Sequence, residues 1–186
     1  MKKRLNSATV AVYGLFIAFI AICAQINIPT QPIQITLGVF AVLAAGGLLG
    51  AKRAAAAVAL YVLLGAFGAP VFGYFRGGLG VLLGPTGGYL IGYIPMAFAV
   101  GFLSELLRKK TGESYFVYIP SMAAGVIICY IFGTAWFVIS TKSTVAAALA
   151  VCVIPFIPGD VIKIISAALF VYKLRPRLSA QLRQFD

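Results

Sequence analysis

The sequence predicts an all-α integral membrane protein of six transmembrane helices, with a short extra or re-entrant helix before the last. Three observations carry that prediction. First, hydrophobic residues make up 62% of the 186 positions and charged residues 10%, and the mean hydropathy is +1.03, far outside the range of soluble domains. Second, apolar stretches close to the ~20 residues that cross a bilayer core recur along the chain. Third, the charges gather at the ends of those stretches rather than along one face, as topology-setting charges do. Six spans and their connections fill the length, so residues 1–186 read as a single membrane domain with no room for a soluble one.

The first segment covers about Leu5 to Ile26 and stops before Asn27–Pro29. The second, about Ile35 to Leu49, is short. The third, about Ala54 to Pro70, is rich in alanine and leucine. The fourth covers about Thr86 to Leu107, and the fifth about Phe116 to Ile139. Thr144–Ile154 is too short to span. Pro155 and Pro158 then punctuate the backbone, and Pro158 suits the first turn of a new helix, where its missing N–H is no loss. Pro158–Lys173 is therefore the sixth segment, and Thr144–Ile154 the short extra or re-entrant piece.

Basic residues set the expected orientation. Lys2, Lys3 and Arg4 precede the first segment; Lys52 and Arg53 join the second and third. Arg108, Lys109 and Lys110 join the fourth and fifth, and Lys173, Arg175, Arg177 and Arg183 follow the sixth. Twelve of the fifteen basic residues thus lie on one side, against Arg76 and Lys142 in the opposite loops. The positive-inside rule makes that side cytoplasmic and places both termini there. The net charge of +11 is accordingly a membrane feature and predicts no nucleic-acid partner. The basic start Met1–Arg4 leads into a span-length run without a small-residue cleavage motif, so no cleaved signal peptide is expected. Histidine is absent, and Cys23, Cys129 and Cys152 are isolated in apolar runs, so no metal or cofactor is expected.

Of the four acidic residues, Asp160 is the one set in the apolar stretch Ile154–Tyr172. An ionised side chain there costs several kcal/mol (roughly) unless it is paired or faces a polar cavity. Lys163, three positions on, shares its helix face. The pair is either structural glue or a site for a polar ligand. The expected topology puts Asp160 in the first turn of the sixth segment, near the outer surface, where the helix dipole also favours a carboxylate.

The outer loop Phe72–Tyr93 is the glycine-richest stretch and includes Arg76, Gly84, Thr86, Gly87 and Tyr89. It lacks the phosphate-loop pattern, since no lysine follows its glycines. Non-helical backbone at membrane depth is tolerated where it is buried in protein or lines a cavity. By itself such a loop reads as a tight external turn. Its convergence with Asp160 and Lys163 on one side makes it a candidate site wall. Trp136, the single tryptophan, is either an interfacial anchor or a stacking wall for a ring. In the first segment Ser7, Ala11, Gly14, Ala18 and Ala21 follow 4-3-4-3 spacing and form one stripe of small residues. Such a stripe serves internal packing or docks another membrane subunit.

Three motifs, RGGLGVLLGPTGGYLIG (Arg76–Gly92), GTAW (Gly133–Trp136) and PFIPGDVIK (Pro155–Lys163), occur in an order that resembles the BioY family. These are the biotin-binding substrate components, or S components, of energy-coupling factor (ECF) vitamin transporters. The resemblance covers nearly the whole chain. It implies the six-helix S-component fold in the plasma membrane and a biotin pocket near the extracellular surface. It also implies partnership with a transmembrane coupling subunit, BioN/EcfT, and ABC-type ATPase subunits. The stripe on the first segment matches the docking face of such proteins, here as GLFIA (Gly14–Ala18) rather than a plain alanine pair. Related chains often carry ITLQ where this one has ITLG (Ile35–Gly38), so a contact made by that glutamine is lost or moved.

The resemblance implies a substrate site built from Asp160, Lys163, Arg76, Gly84, Thr86, Gly87, Tyr89 and Trp136. Asp160 suits the ureido N–H groups and Lys163 the ureido carbonyl, while Arg76 and the glycine loop suit the valerate carboxylate. Lys163 on the carboxylate is the alternative. A stand-alone carrier, or an S component for another vitamin, is the competing function. An intramembrane enzyme is disfavoured, because there is no histidine and no carboxylate cluster for acid–base or metal chemistry.

Overall fold

The computed structural model describes residues 7–28 and 34–182, with side chains from 10–28 and 34–177. The basic start Lys2–Arg4, the start of the first segment at Leu5, the Ser7 side chain and Arg183 lie outside the described residues.

The second segment is the centre of the bundle. Helix α1 is Ser7–Gln25, α2 is Gly38–Leu49 and α3 is Ala51–Ala66. The α2 sequence, GVFAVLAAGGLL, is apolar all round, and such a helix is a buried one. Every residue from Ala41 to Leu49 is buried, and α1, α3, α5 (Gly87–Thr111) and α8 (Ile157–Leu182) pack around it. Its glycines set the spacing. A Cβ on Gly46 would stand 2.8 Å from Val100 of α5, and one on Gly47 would stand 2.8 Å from Val171 of α8. In lipid, helices associate through close packing of this kind. The buried Arg175 of α8 adds a bond from Nη1 to the Gly47 carbonyl at 2.5 Å.

At Gly50, φ is +79°, a conformation open to glycine, and the chain turns there from α2 into α3. Gly101 of α5 abuts that corner: a Cβ would lie 2.3 Å from the Ala51 backbone nitrogen. Because backbone cannot swing aside, Gly101→Ala is expected to destabilise the protein by about 1–3 kcal/mol. Thermal unfolding in detergent checks this; an unchanged midpoint would show that the corner has slack.

Helices α5 and α6 (Tyr115–Thr141) form an antiparallel pair. Gly112 at φ +79° and a Ser114 cap on the Phe116 N–H join them. The short piece before the last span is helix α7, Val145–Cys152, capped by the Thr144 hydroxyl. Pro155 lies in a 3-10 turn, Ile154–Phe156, and Pro158 falls in the first turn of α8. That helix continues past Lys173 to Leu182, further than apolarity alone indicates. Gly87–Thr111, Tyr115–Thr141 and Val145–Arg177 are each long and apolar enough to cross a membrane; Val10–Gln25 and Gly38–Leu49 are shorter apolar helices.

A strand pair and a short helix add to what the sequence predicts. Strands β1 (Asn27–Ile28) and β2 (Ile35–Thr36) pair antiparallel, with Asn27 opposite Thr36. The glycine-rich loop, expected to be non-helical, contains helix α4, Leu79–Leu83. Because α2 starts only at Gly38, the space above its first turn is left to the hairpin and this loop, and the cavities lie there.

On α1, Phe16, Ile20, Cys23 and Ala24 are buried, whereas Ala11, Gly14 and Ala18 are exposed. A Cβ on Gly14 would meet nothing within 4 Å. Among the described residues Ala11, Gly14 and Ala18 are therefore an open face, while Ala21 at the end of the stripe is half-buried against the core.

Candidate functional site

Two adjoining cavities occupy the end of the bundle where α1 ends and where α2, α5 and α8 begin. The inner one, about 450 Å³ of empty space with its mouth, is lined by Asp160, Lys163, Tyr130, Cys129, Cys152, Phe156, Val39 and Val126. The outer one, about 490 Å³, is lined by Arg76, Thr86, Tyr61, Phe72 and Leu90 among others. Gln34, Thr36, Tyr89 and Tyr93 face both and form the shared wall.

At the inner end Asp160 is 4% exposed and Lys163 7%. Lys163 Nζ donates to Asp160 Oδ1 at 2.8 Å, and the Tyr130 hydroxyl donates to Oδ2 at 2.5 Å. Both carboxylate oxygens thus have a donor, in a cavity that mixes apolar walls (Val39, Val126, Phe156) with the polar side chains of Gln34, Thr36, Tyr89 and Tyr93. A buried pair is tolerable only when its geometry is good and its lone pairs are met. Asp160 retains acceptor capacity on each oxygen, and the bond to Asp160 uses one of the three ammonium N–H groups. The inner end can therefore accept from N–H donors and donate to a carbonyl within the same few ångströms.

At the outer end Arg76 is an exposed guanidinium held in place from three sides. Its Nε donates to the Gly73 carbonyl at 3.2 Å, its Nη2 donates to Gln34 Oε1 at 3.4 Å, and its Cζ is 5.5 Å from the Tyr74 ring centroid. The turn that offers Tyr74 is strained: Tyr74 and Phe75 both adopt positive φ, 61° and 54°. Such conformations cost about 1–3 kcal/mol each and persist where the surroundings fix them. Gln25 of α1 supplies the fixing. Its Nε2 donates to the Phe72 carbonyl at 3.0 Å and its Oε1 accepts from the Phe75 N–H at 2.9 Å.

The other expected site residues divide. Thr86 lines the outer cavity, and Tyr89 lines both and bonds the Thr134 hydroxyl at 3.3 Å. Gly84, Gly87 and Trp136 line neither, and serve the loop's architecture. Trp136 Nε1 donates to the Gly84 carbonyl at 3.0 Å. A Cβ on Gly87 would overlap the Leu82 carbonyl, and one on Gly88 would lie 2.2 Å from Trp136 Cβ. In GTAW, Gly133 lets α6 approach the Tyr89 ring, which a Cβ would meet at 2.2 Å.

Among the cavity residues that the sequence did not single out are Tyr130, Gln34, Thr36 and Tyr93. Tyr130 lies thirty positions from its partner, on another span, and a tyrosine in an apolar helix gives no signal. Gln34 bears on the ITLG departure. A Cβ on Gly38 would stand 3.1 Å from the Thr36 hydroxyl and 3.4 Å from that of Tyr93. A side chain at 38 would crowd those two cavity walls. Gln34, just before β2, brings an amide to both cavities instead.

This architecture matches a solved structure described as the S-component for biotin from an ECF-type ABC transporter, with a TM-score of 0.84, 30% identity and 95% of each chain covered. It defines the class: a membrane transport protein of the S-component fold, not an enzyme. Residues 1–180 match the family described as BioY. The chain is 45% identical over 163 residues to the Biotin transporter BioY of Thermotoga maritima, spanning 87% of this chain and 92% of that one. It is 37% identical over 165 residues to the Biotin transporter BioY of Rhizobium etli, spanning 86% and 87%. The chain belongs to the BioY family.

Proposed function

We propose that this protein captures biotin at the extracellular face of the plasma membrane and delivers it as the substrate-binding subunit of an ECF-type transporter. The observation that carries the reading is the division of the cleft. A buried acid–base pair lies at one end, an anchored arginine lies near the mouth, and a tyrosine-lined wall runs between them. Biotin has the complementary polarity, with a ureido group at one end, a carboxylate at the other and an apolar bicycle and chain between.

In this arrangement Asp160 accepts from the ureido N–H groups and Lys163 donates to the ureido carbonyl. Tyr130 keeps the carboxylate aimed. Arg76 holds the valerate carboxylate, with Gln34 and the loop closing over the chain. Charge-assisted bonds in an apolar surround orient a ligand strongly. Calorimetric titration of the purified protein with biotin tests the function. Saturable binding below micromolar concentrations is expected, and no heat at micromolar biotin would overturn it.

The carboxylate assignment has its own test. Arg76→Gln is expected to weaken biotin binding roughly tenfold or more, the worth of a charge-assisted bond near the surface, while leaving biotin methyl ester unaffected. If instead Arg76→Gln leaves biotin binding intact, the carboxylate lies at Lys163.

The twelve basic residues on one side support an orientation with both termini cytoplasmic, which puts the cleft outside. The exposed face of Ala11, Gly14 and Ala18 supports docking to a transmembrane coupling subunit of the BioN/EcfT kind, driven by ABC ATPase subunits.

A further inference from the structure

A third cavity lies apart from the cleft. It is a wholly apolar groove of about 540 Å³ on the membrane-facing side, lined by Leu15, Phe16, Phe19, Leu48, Phe170 and Leu174. Helices α1 and α8 flank α2 here. Buried Phe16 and Leu48 make the floor, and exposed Leu15 and Leu174 the rims. The Phe19 and Phe170 rings stack across the groove, 6.1 Å apart and 15° from parallel, and bring α1 and α8 together at that end.

The other end leads to cations. Phe170, Leu174 and Arg177 follow one stripe of α8 at 4-3 spacing, so Arg177 stands one turn beyond the groove on the groove's own face. Phe170 to Arg177 is a rise of roughly 10 Å, within one leaflet of a ~30 Å core. Arg177 is exposed, and so are Lys173 beside Leu174 and Lys52 beyond the end of α2. None of α1, α2 and α3 contains an acidic residue, and α8 has none after Asp160. Among the described residues the foot of the groove is therefore positive through Lys173 and Arg177 of α8, with Lys52 at the start of α3 nearby, while α1 and α2 carry no charge.

We propose that this groove holds one anionic phospholipid, an acyl chain between α1 and α8 and the phosphate on Arg177 and Lys173. The apolar walls suit a single chain in place of a loosely packed annular one. The basic foot selects the headgroup. The proposal rests on the membrane placement of the helices and is independent of what the outer cleft binds.

Native mass spectrometry of the purified protein with equal phosphatidylglycerol and phosphatidylcholine tests it. One phosphatidylglycerol is expected to be retained at roughly 30-fold preference, since a Lys or Arg at an anionic surface is worth about 1 kcal/mol. Arg177→Gln should cut that preference roughly fivefold. Leu15→Trp, which fills the groove from an exposed rim, should remove the adduct, with the unfolding midpoint confirming that each variant is folded. Equal retention of the two lipids overturns the proposal. Retention unchanged by Leu15→Trp also overturns it, because the lipid then lies on the general surface. A dimer that forms in place of the adduct and is lost in Leu15→Trp overturns it in favour of a second copy of the chain.

Discussion

Asp160→Ala is expected to abolish biotin binding at any concentration a calorimeter can reach, a loss of at least ~1000-fold, about 4 kcal/mol. The size follows from what the carboxylate does. It is buried and accepts from Lys163 Nζ at 2.8 Å and from the Tyr130 hydroxyl at 2.5 Å. In the proposed pose each additional bond to a ureido N–H would be charge-assisted, worth roughly 1.5–3 kcal/mol. Truncation removes these bonds and leaves Lys163, 7% exposed, as a buried cation without its partner. Breaking one side of a buried pair costs about 3–5 kcal/mol of stability, so the unfolding midpoint should fall as well. The double variant Asp160→Ala/Lys163→Met separates the effects. Replacing the whole pair by apolar groups should restore much of the stability, while binding stays lost. An Asp160→Ala protein that binds biotin within tenfold of the parent would show that the pair only packs α8.

The same two residues mark what was readable in the sequence. A carboxylate and an ammonium in an apolar run are conspicuous because they are costly there, and Pro158 fixed where their helix begins. The charge clusters between spans located the ends of the helices, and with them the end of the bundle where polar chemistry collects. Tyr130 was not readable, because nothing local distinguishes it from the other tyrosines of apolar spans. It acquires a role only when α6 and α8 pack, which places its hydroxyl on Asp160. The hairpin β1–β2 was missed for a related reason: two-residue strands give no alternating pattern. Trp136 shows the limit of residue type as a guide. Either a belt anchor or a stacking wall fits a lone tryptophan. The structure places its N–H on the Gly84 carbonyl, so the side chain ties α6 to the glycine loop. The requirement for glycine at 87 and 88 is likewise a packing fact, set by Leu82 and Trp136.

Gly14→Leu is expected to leave biotin binding at the parent level and to cut energised uptake by at least about tenfold in cells that supply the coupling and ATPase subunits. Two properties of the position make the effects separable. Among the described residues a Cβ at 14 meets nothing within 4 Å, so the substituted side chain starts into open space rather than into the core. Replacing a mid-helix glycine also removes a penalty of roughly 0.5–1 kcal/mol, so the isolated protein should be as stable as the parent or slightly more so. On the proposed docking face the sign reverses. Ala11, Gly14 and Ala18 are exposed and small, and a face of this kind gains its attraction from backbone approach. A leucine in the middle holds the partner helix away, and dispersion contacts fall off steeply over the first ångström of separation. Copurification with the coupling subunit should fail together with uptake, and Gly14→Ala should retain most of both. If Gly14→Leu takes up biotin like the parent, this stripe is not where the coupling subunit docks, and the docking contact lies on another face of the bundle.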